Sequence, residues 1–196
     1  MPQSRSPESS DADPLPVVVH LNARVQPAHR GEIYEEPLQA AFDRYVPGCE
    51  VVGGGSELDP TDGARSCDIE VELRGDRDRA LTVLVTALEH FGAPVGSSYA
   101  VDEDAPVPFG RTHGVALSLD GTSLPTDVYA TNDVNELIDG LAAELGDSAT
   151  LQSWWEGPER TSLYFYGEDP ARIRAVLEAA PERWPLAERS RVEDLT

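Results

Sequence analysis

Twice along this chain the residue pattern passes through the same succession of elements. A period-two segment is followed by a helical stretch, two more period-two segments around a turn, a second helical stretch and a short closing strand. Successive strand side chains point to opposite faces, whereas a helix repeats about every 3.6 residues, so the two periods order the elements along the chain.

In the first pass, Val19, Leu21, Ala23 and Val25 alternate with His20, Asn22 and Arg24, which predicts a half-buried strand. Residues 32–46 place Ile33, Leu38, Ala41, Phe42 and Tyr45 at helical spacing, behind an acidic start that suits the helix dipole. Pro47-Gly48 ends that helix. Residues 49–58 predict a second strand, and Gly53, Gly54 and Gly55 within it signal a bulge or a close backbone approach. After the turn residues 59–63, Cys67, Ile69, Val71 and Leu73 alternate with Asp68, Glu70 and Glu72 in the clearest strand of the chain. A helix over residues 78–91, with Leu81, Val85, Leu88 and Phe91 inward, and a strand over 97–101 complete the unit.

Residues 102–111 are proline-rich and polar and predict a linker. The order then recurs. Val115, Leu117 and Leu119 alternate, and residues 133–145 carry the stripe Val134, Leu137, Ile138, Leu141 and Leu145. Residues 149–155 and 161–166 flank a Gly-Pro turn. Asp169 and Pro170 then supply the N-cap and first position of a helix that turns Ile173, Val176, Leu177 and Ala180 inward. Residues 189–195 predict the closing strand. The expected fold class is α/β in composition and α+β in layout: two tandem β-α-β-β-α-β (ferredoxin-like) modules with antiparallel sheets, at residues 17–101 and 112–196. The alternative is one larger mixed sheet. Residues 1–16 lack an apolar signal region and predict a disordered leader. No run of about 18 apolar residues occurs, so a soluble, cytoplasmic protein is expected.

Fifteen basic residues, all arginine, stand against 36 acidic ones, for a formal net charge of −21. Such a surface repels nucleic acid and membrane phosphate and attracts a basic partner; genome-wide acidity explains the same number without any partner. Cys49 and Cys67 sit at unequal offsets from their hairpin turn and are expected as two free thiols.

Two groups of residues stand out as candidate binding sites. If the first and third strands are neighbours, His20, Asn22 and Arg24 lie beside Asp68, Glu70 and Glu72. Carboxylates at that spacing can hold a hard cation or serve as an acid–base pair. A plain solvated face, its charges paired across strands with Arg24, gives the same pattern. In the second half, Tyr164 and Tyr166 share a strand face, and one of Trp154 and Trp155 must point away from the helices. An exposed patch of these four would be an interface; burial by the first module or by a second copy of the chain would remove it. No phosphate loop, nucleophile elbow or zinc spacing is present, so neither catalytic residues nor a cofactor or metal site is assigned.

In its small size, acidity and two-module pattern the chain resembles bacterial immunity or antitoxin proteins, which block basic nucleases by charge complementarity. That resemblance is one of composition. It implies a non-catalytic protein that binds a basic protein partner, with no direct contact to nucleic acid or membrane. A small-molecule sensor with ligand between the modules, and a metal-dependent enzyme using His20, Asp68, Glu70 and Glu72, are the alternatives.

Overall fold

A computed structural model describes residues 13–60 and 63–195. The predicted leader lies outside the described residues up to position 12, but its end does not. Leu15 and Pro16 already belong to the first strand, because Leu15 pairs with Leu73 at the far end of the ladder.

Strands β1 (Leu15–Leu21), β2 (Glu50–Asp59), β3 (Gly63–Leu73) and β4 (Ser97–Val101) form an antiparallel sheet in the order β2-β3-β1-β4. The alternation of β1 and β3 decides which face is buried. Val17, Val19 and Leu21 lie opposite Val71, Ile69 and Cys67, and all six face the helices. Those helices are α1 (Pro27–Arg30), which runs through a π-helical turn at Gly31–Glu35 into α2 (Glu36–Tyr45), and α3 (Arg77–His90). The first helical stretch therefore starts earlier than predicted, with Pro27 at its first turn, where a missing N–H costs nothing. The buried stripe of α3 is Ala80, Leu84 and Leu88 rather than Leu81, Val85 and Leu88. Both rows have helical spacing, four and four against four and three residues, and packing against α2 selects between them.

The glycine run in β2 marks a register shift between Val51 and Gly53. At Gly54 a Cβ would meet the Asp68 carbonyl oxygen at 2.6 Å and the Glu35 carboxylate at 2.9 Å. The backbone is bare there so that the ion pair of Arg30 Nε with Glu35 Oε1, 2.5 Å apart, can lie across it. The predicted linker is not structureless: β5 (Val107–Phe109) adds an edge strand beside β4.

The second module repeats the plan. Strands β6 (His113–Asp120), β7 (Thr150–Glu156), β8 (Arg160–Gly167) and β9 (Arg191–Leu195) pair antiparallel in the order β7-β8-β6-β9, the same as in the first sheet. A short helix, α4 (Thr126–Thr131), precedes α5 (Val134–Leu145), and α6 (Pro170–Glu178) follows β8. Leu137, Leu141, Ile173 and Leu177 of the helices bury Val115, Leu117, Leu163 and Phe165 of the sheet. The helix after each third strand begins the same way. Asp76 accepts from Arg79 N at 3.1 Å, and Asp169 from Arg172 N at 3.0 Å. Each satisfies one of the unpaired N–H groups of a first turn. The molecule is thus a tandem ferredoxin-like α+β protein with two separate antiparallel sheets, and the single mixed sheet does not form. No helix among the described residues is long and apolar enough to cross a membrane.

Candidate functional site

The two modules share an order of elements but not a use of their sheets. On the face of sheet 2 turned away from α5 and α6, β6 carries Gly114, Ala116 and Ser118, and β8 carries Ser162, Tyr164 and Tyr166. Tyr164 and Tyr166 are 2% and 3% exposed, and with Ala116 they belong to the hydrophobic core of the first module. The end of module 1 is seated on this face and forms a seam. At Gly114 a Cβ would meet the Tyr166 ring at 2.6 Å, so glycine lets the tyrosine lie flat on the strand.

Of the two readings of the aromatic group, burial by the first module holds for Tyr164 and Tyr166, so the exposed four-residue patch is corrected. Two tyrosines are large apolar surfaces with one polar tip, and module 1 supplies both the cover and the partner for that tip. Arg24 N donates to Tyr166 Oη at 2.8 Å. Burial pushes the Tyr166 hydroxyl well above the ordinary phenol range, against the opposing pull of Arg24. Trp155 is the tryptophan that shares the buried face, being paired with Ser162, and is half-buried; Trp154 stays 44% exposed, its ring 4.3 Å from that of His29. A bulge between Leu151 and Ser153 sets this parity.

Polar contacts pin the same seam. Gln26 N donates to Ser153 Oγ at 3.2 Å, and His29 Nδ1 lies 2.8 Å from the same oxygen. Tyr34 Oη donates to Gln152 Oε1 at 2.9 Å, and Gln152 Nε2 to the Gly92 carbonyl at 3.3 Å. Desolvation raises the Tyr34 phenol well above its usual value. The His29–Ser153 contact has the distance of a base and a nucleophile, but Ser153 is fully buried and already accepts from Gln26 N. It is a latch between modules, since a nucleophile must reach its substrate.

Three recesses open along the seam, and each is lined from both modules. The first, about 430 Å³, lies between Arg24 of module 1 and Ser118, Trp155, Arg160, Ser162, Tyr164 and Arg191 of module 2. The second, about 460 Å³, lies between the Phe91–Gly92 end of α3 and the Thr150–Gln152 and Gly167–Asp169 segments. The third, about 340 Å³, joins His20, Asn22, Arg24 and Arg65 to Leu195. In the first recess, Ser118 and Ser162 place their hydroxyls 2.8 Å apart, and the Arg24 guanidinium lies 6.0 Å from the centre of the Tyr164 ring. Asp120 beside it accepts from Ser123 Oγ and from the amides of Ser123 and Thr122, which hold its carboxyl well below the usual carboxylate range. Arg160, 3.7 Å away, adds to that effect.

The acidic constellation of module 1 forms only in part. His20 is paired with Asp68 in register, its Nδ1 2.8 Å from the carboxylate, and Glu70 and Glu72 share their face. Arg24 does not join them. β1 ends at Leu21, and the chain beyond it turns to module 2, so Arg24 lies against Tyr164 and Glu72 pairs instead with Arg74 at 3.6 Å. Among the described residues no three His, Cys, Asp or Glu side chains gather closely enough to hold a metal ion. Cys49 and Cys67 are both free and buried, and burial pushes the Cys67 thiol up to about 12.

Reading the sequence alone placed a ligand between the modules only as an alternative and named no residues for it. The seam's one legible signal is the small-and-aromatic character of Gly114, Ala116, Tyr164 and Tyr166 on a sheet face that would otherwise carry charge.

No protein-family model matches the chain, and no curated protein matches it in sequence. Among solved structures it is similar to an unknown protein from Galdieria sulphuraria, at 14% identity and a TM-score of 0.31, over 93% of this chain and 97% of the other. It is also similar to the regulatory subunit of aspartate kinase from Thermus thermophilus, at 14% identity and a TM-score of 0.29, over 86% and 92%. A variant chlorite dismutase from Candidatus Nitrospira defluvii aligns at 9% identity and a TM-score of 0.33, over 94% and 92%. At such scores none of these assigns an activity, a ligand or a partner.

Proposed function

We propose that this is a non-catalytic small-molecule-binding protein, a sensor in which ligand occupies the seam between the two modules. The observation that carries this reading is the seam's architecture: recesses of about 340 to 460 Å³, the second walled substantially by both modules, the first and third completed across the seam by Arg24 and by Leu195. These volumes fall at the low end of the roughly 300–1,000 Å³ typical of small-molecule sites. A ligand so placed contacts residues that only the docked arrangement brings together. It therefore favours that arrangement by its differential affinity, which is the physical requirement for a sensor. The test is thermal unfolding of the full chain against a panel of amino acids, organic acids, nucleotides and cofactors. A seam ligand at about a hundredfold excess over its Kd adds about 2.7 kcal/mol of stability. A panel that moves the melting temperature nowhere contradicts the reading.

A second reading, an acidic protein that holds a basic protein partner in the manner of an immunity protein, rests on one observation. The face of sheet 1 that carries Asp68, Glu70 and Glu72 stays uncovered, with Val18 49% exposed among the acids. Its signature is an association rate that falls as salt rises. A pull-down at low salt that returns no basic protein removes it.

A further inference from the structure

We infer that the recess beside Arg24 takes a small organic oxyanion, its carboxylate or phosphate gripped by Arg24 and Arg191 and its flat part lying along Trp155. The inference rests on the small-molecule reading and names the ligand class for one of its recesses.

It begins with where the arginines go. In a chain of net charge −21, a guanidinium has carboxylates on every side, and most of those described are taken. Arg30, Arg65, Arg74, Arg77, Arg111 and Arg160 each pair with a carboxylate, as do Arg174 and Arg183. Arg79, Arg172 and Arg189 donate to backbone carbonyls. Among the described residues Arg24, Arg44 and Arg191 have neither kind of acceptor, and two of these three line the same recess. Glu159 and Glu193 line it too, yet neither forms an ion pair with Arg24 or Arg191. Arg160 is spent on Asp120 and on the Ser118 and Arg189 carbonyls, so its role is to offset nearby carboxylate charge.

The sheet register arranges the rest. Arg191 pairs with Ser118, Ser118 with Ser162, and Ser162 with Trp155, so one row across β9, β6, β8 and β7 runs from a cation through two hydroxyls to an indole. In the next row Tyr164 supports Arg24. The guanidinium carbon lies 6.0 Å from the ring centre, at the outer reach of a cation–π contact. A planar fork with no carboxylate or carbonyl acceptor of its own can meet a carboxylate or phosphate edge-on, in the strong charge-assisted geometry. Ser118 and Ser162 are bonded to each other, which leaves one of their two O–H groups to donate to a further oxygen, and the half-buried Trp155 supplies a π-face. A nucleic acid, with many phosphates, is repelled by the whole surface; an anion of one or two charges meets far less of that repulsion.

The test uses four phenyl probes of different charge, three of them of one planar shape: benzoate, neutral benzamide and cationic benzamidine, with phenyl phosphate as the fourth, titrated calorimetrically into the full-length protein. The expected result is binding of benzoate, phenyl phosphate or both, with benzamide and benzamidine at least about tenfold weaker. Binding by one oxyanion alone tells carboxylate from phosphate. Arg191→Gln, at an exposed position, keeps the unliganded melting temperature and weakens the oxyanion at least about tenfold, and Arg24→Gln does the same to affinity. Benzamide or benzamidine binding as tightly as benzoate, or undiminished oxyanion binding in Arg191→Gln, overturns the inference. Should a neutral or cationic metabolite stabilise the protein through the seam, the sensor reading stands while the oxyanion falls. Should no compound of any charge do so, both fall.

Discussion

The two sheets have the same strand order, and each buries one side beneath a pair of helices; they part company on the other side. In β3 that side carries Asp68, Glu70 and Glu72, and the face stays open. In β8 it carries Ser162, Tyr164 and Tyr166, and module 1 sits on it. Carboxylates held in water are costly to desolvate, whereas a tyrosine pair leaves large apolar area unsatisfied until something covers it. Which module caps the other follows from the residues on these two faces. The fold alone permits either.

That contrast is broken most forcefully by removing a side chain from each face. Tyr166→Ala leaves a cavity in the seam and costs ~3–5 kcal/mol of unfolding free energy, as large aromatic truncations do. Glu70→Ala, on the open face, stays within ~0.5 kcal/mol. Chemical denaturation of both variants checks the pair, and equal losses would mean that the two faces are alike. Tyr166→Phe sharpens the comparison at a smaller cost. It keeps the ring and strips the acceptor from Arg24 N, so a loss of ~1–3 kcal/mol is expected from the unpaired amide. A loss near zero would show that water reaches the seam.

Much of the fold is legible in the sequence because each strand shows its period and each helix its stripe. Cys67, Ile69, Val71 and Leu73 announce a half-buried strand, and all four face the core. Asp169-Pro170 announces a helix start, and the cap forms. The π-helical turn at Gly31–Glu35 and the strand in the 107–109 segment are not legible, since tertiary pairing rather than local pattern makes them. The candidate site was legible only by halves. His20 beside Asp68 follows from the strand order, but the turn of the chain after Leu21 that carries Arg24 away to Tyr164 has no local signature. The aromatic residues were visible as a group, with burial by module 1 as one of two readings; which of the two holds is a property of two surfaces meeting, and period-two patterning says nothing of what lies above a face.

The most direct test of the seam is an alkaline titration of the tyrosines, read by difference absorbance on the folded protein. Tyr34, Tyr164 and Tyr166, three of the six tyrosines, are buried where the modules meet. Desolvation raises Tyr34 and Tyr166 above the ordinary phenol value of ~10, so folding favours their neutral forms. The sign follows: that stabilisation is complete below ~10 and is lost as pH climbs past it, because the unfolded chain sheds protons that the native chain keeps. The account predicts that Tyr34 and Tyr166 keep their protons past the ordinary phenol value and ionise only as the protein unfolds. Tyr34 and Tyr166 ionising reversibly at ~10, with the fold intact, would contradict it.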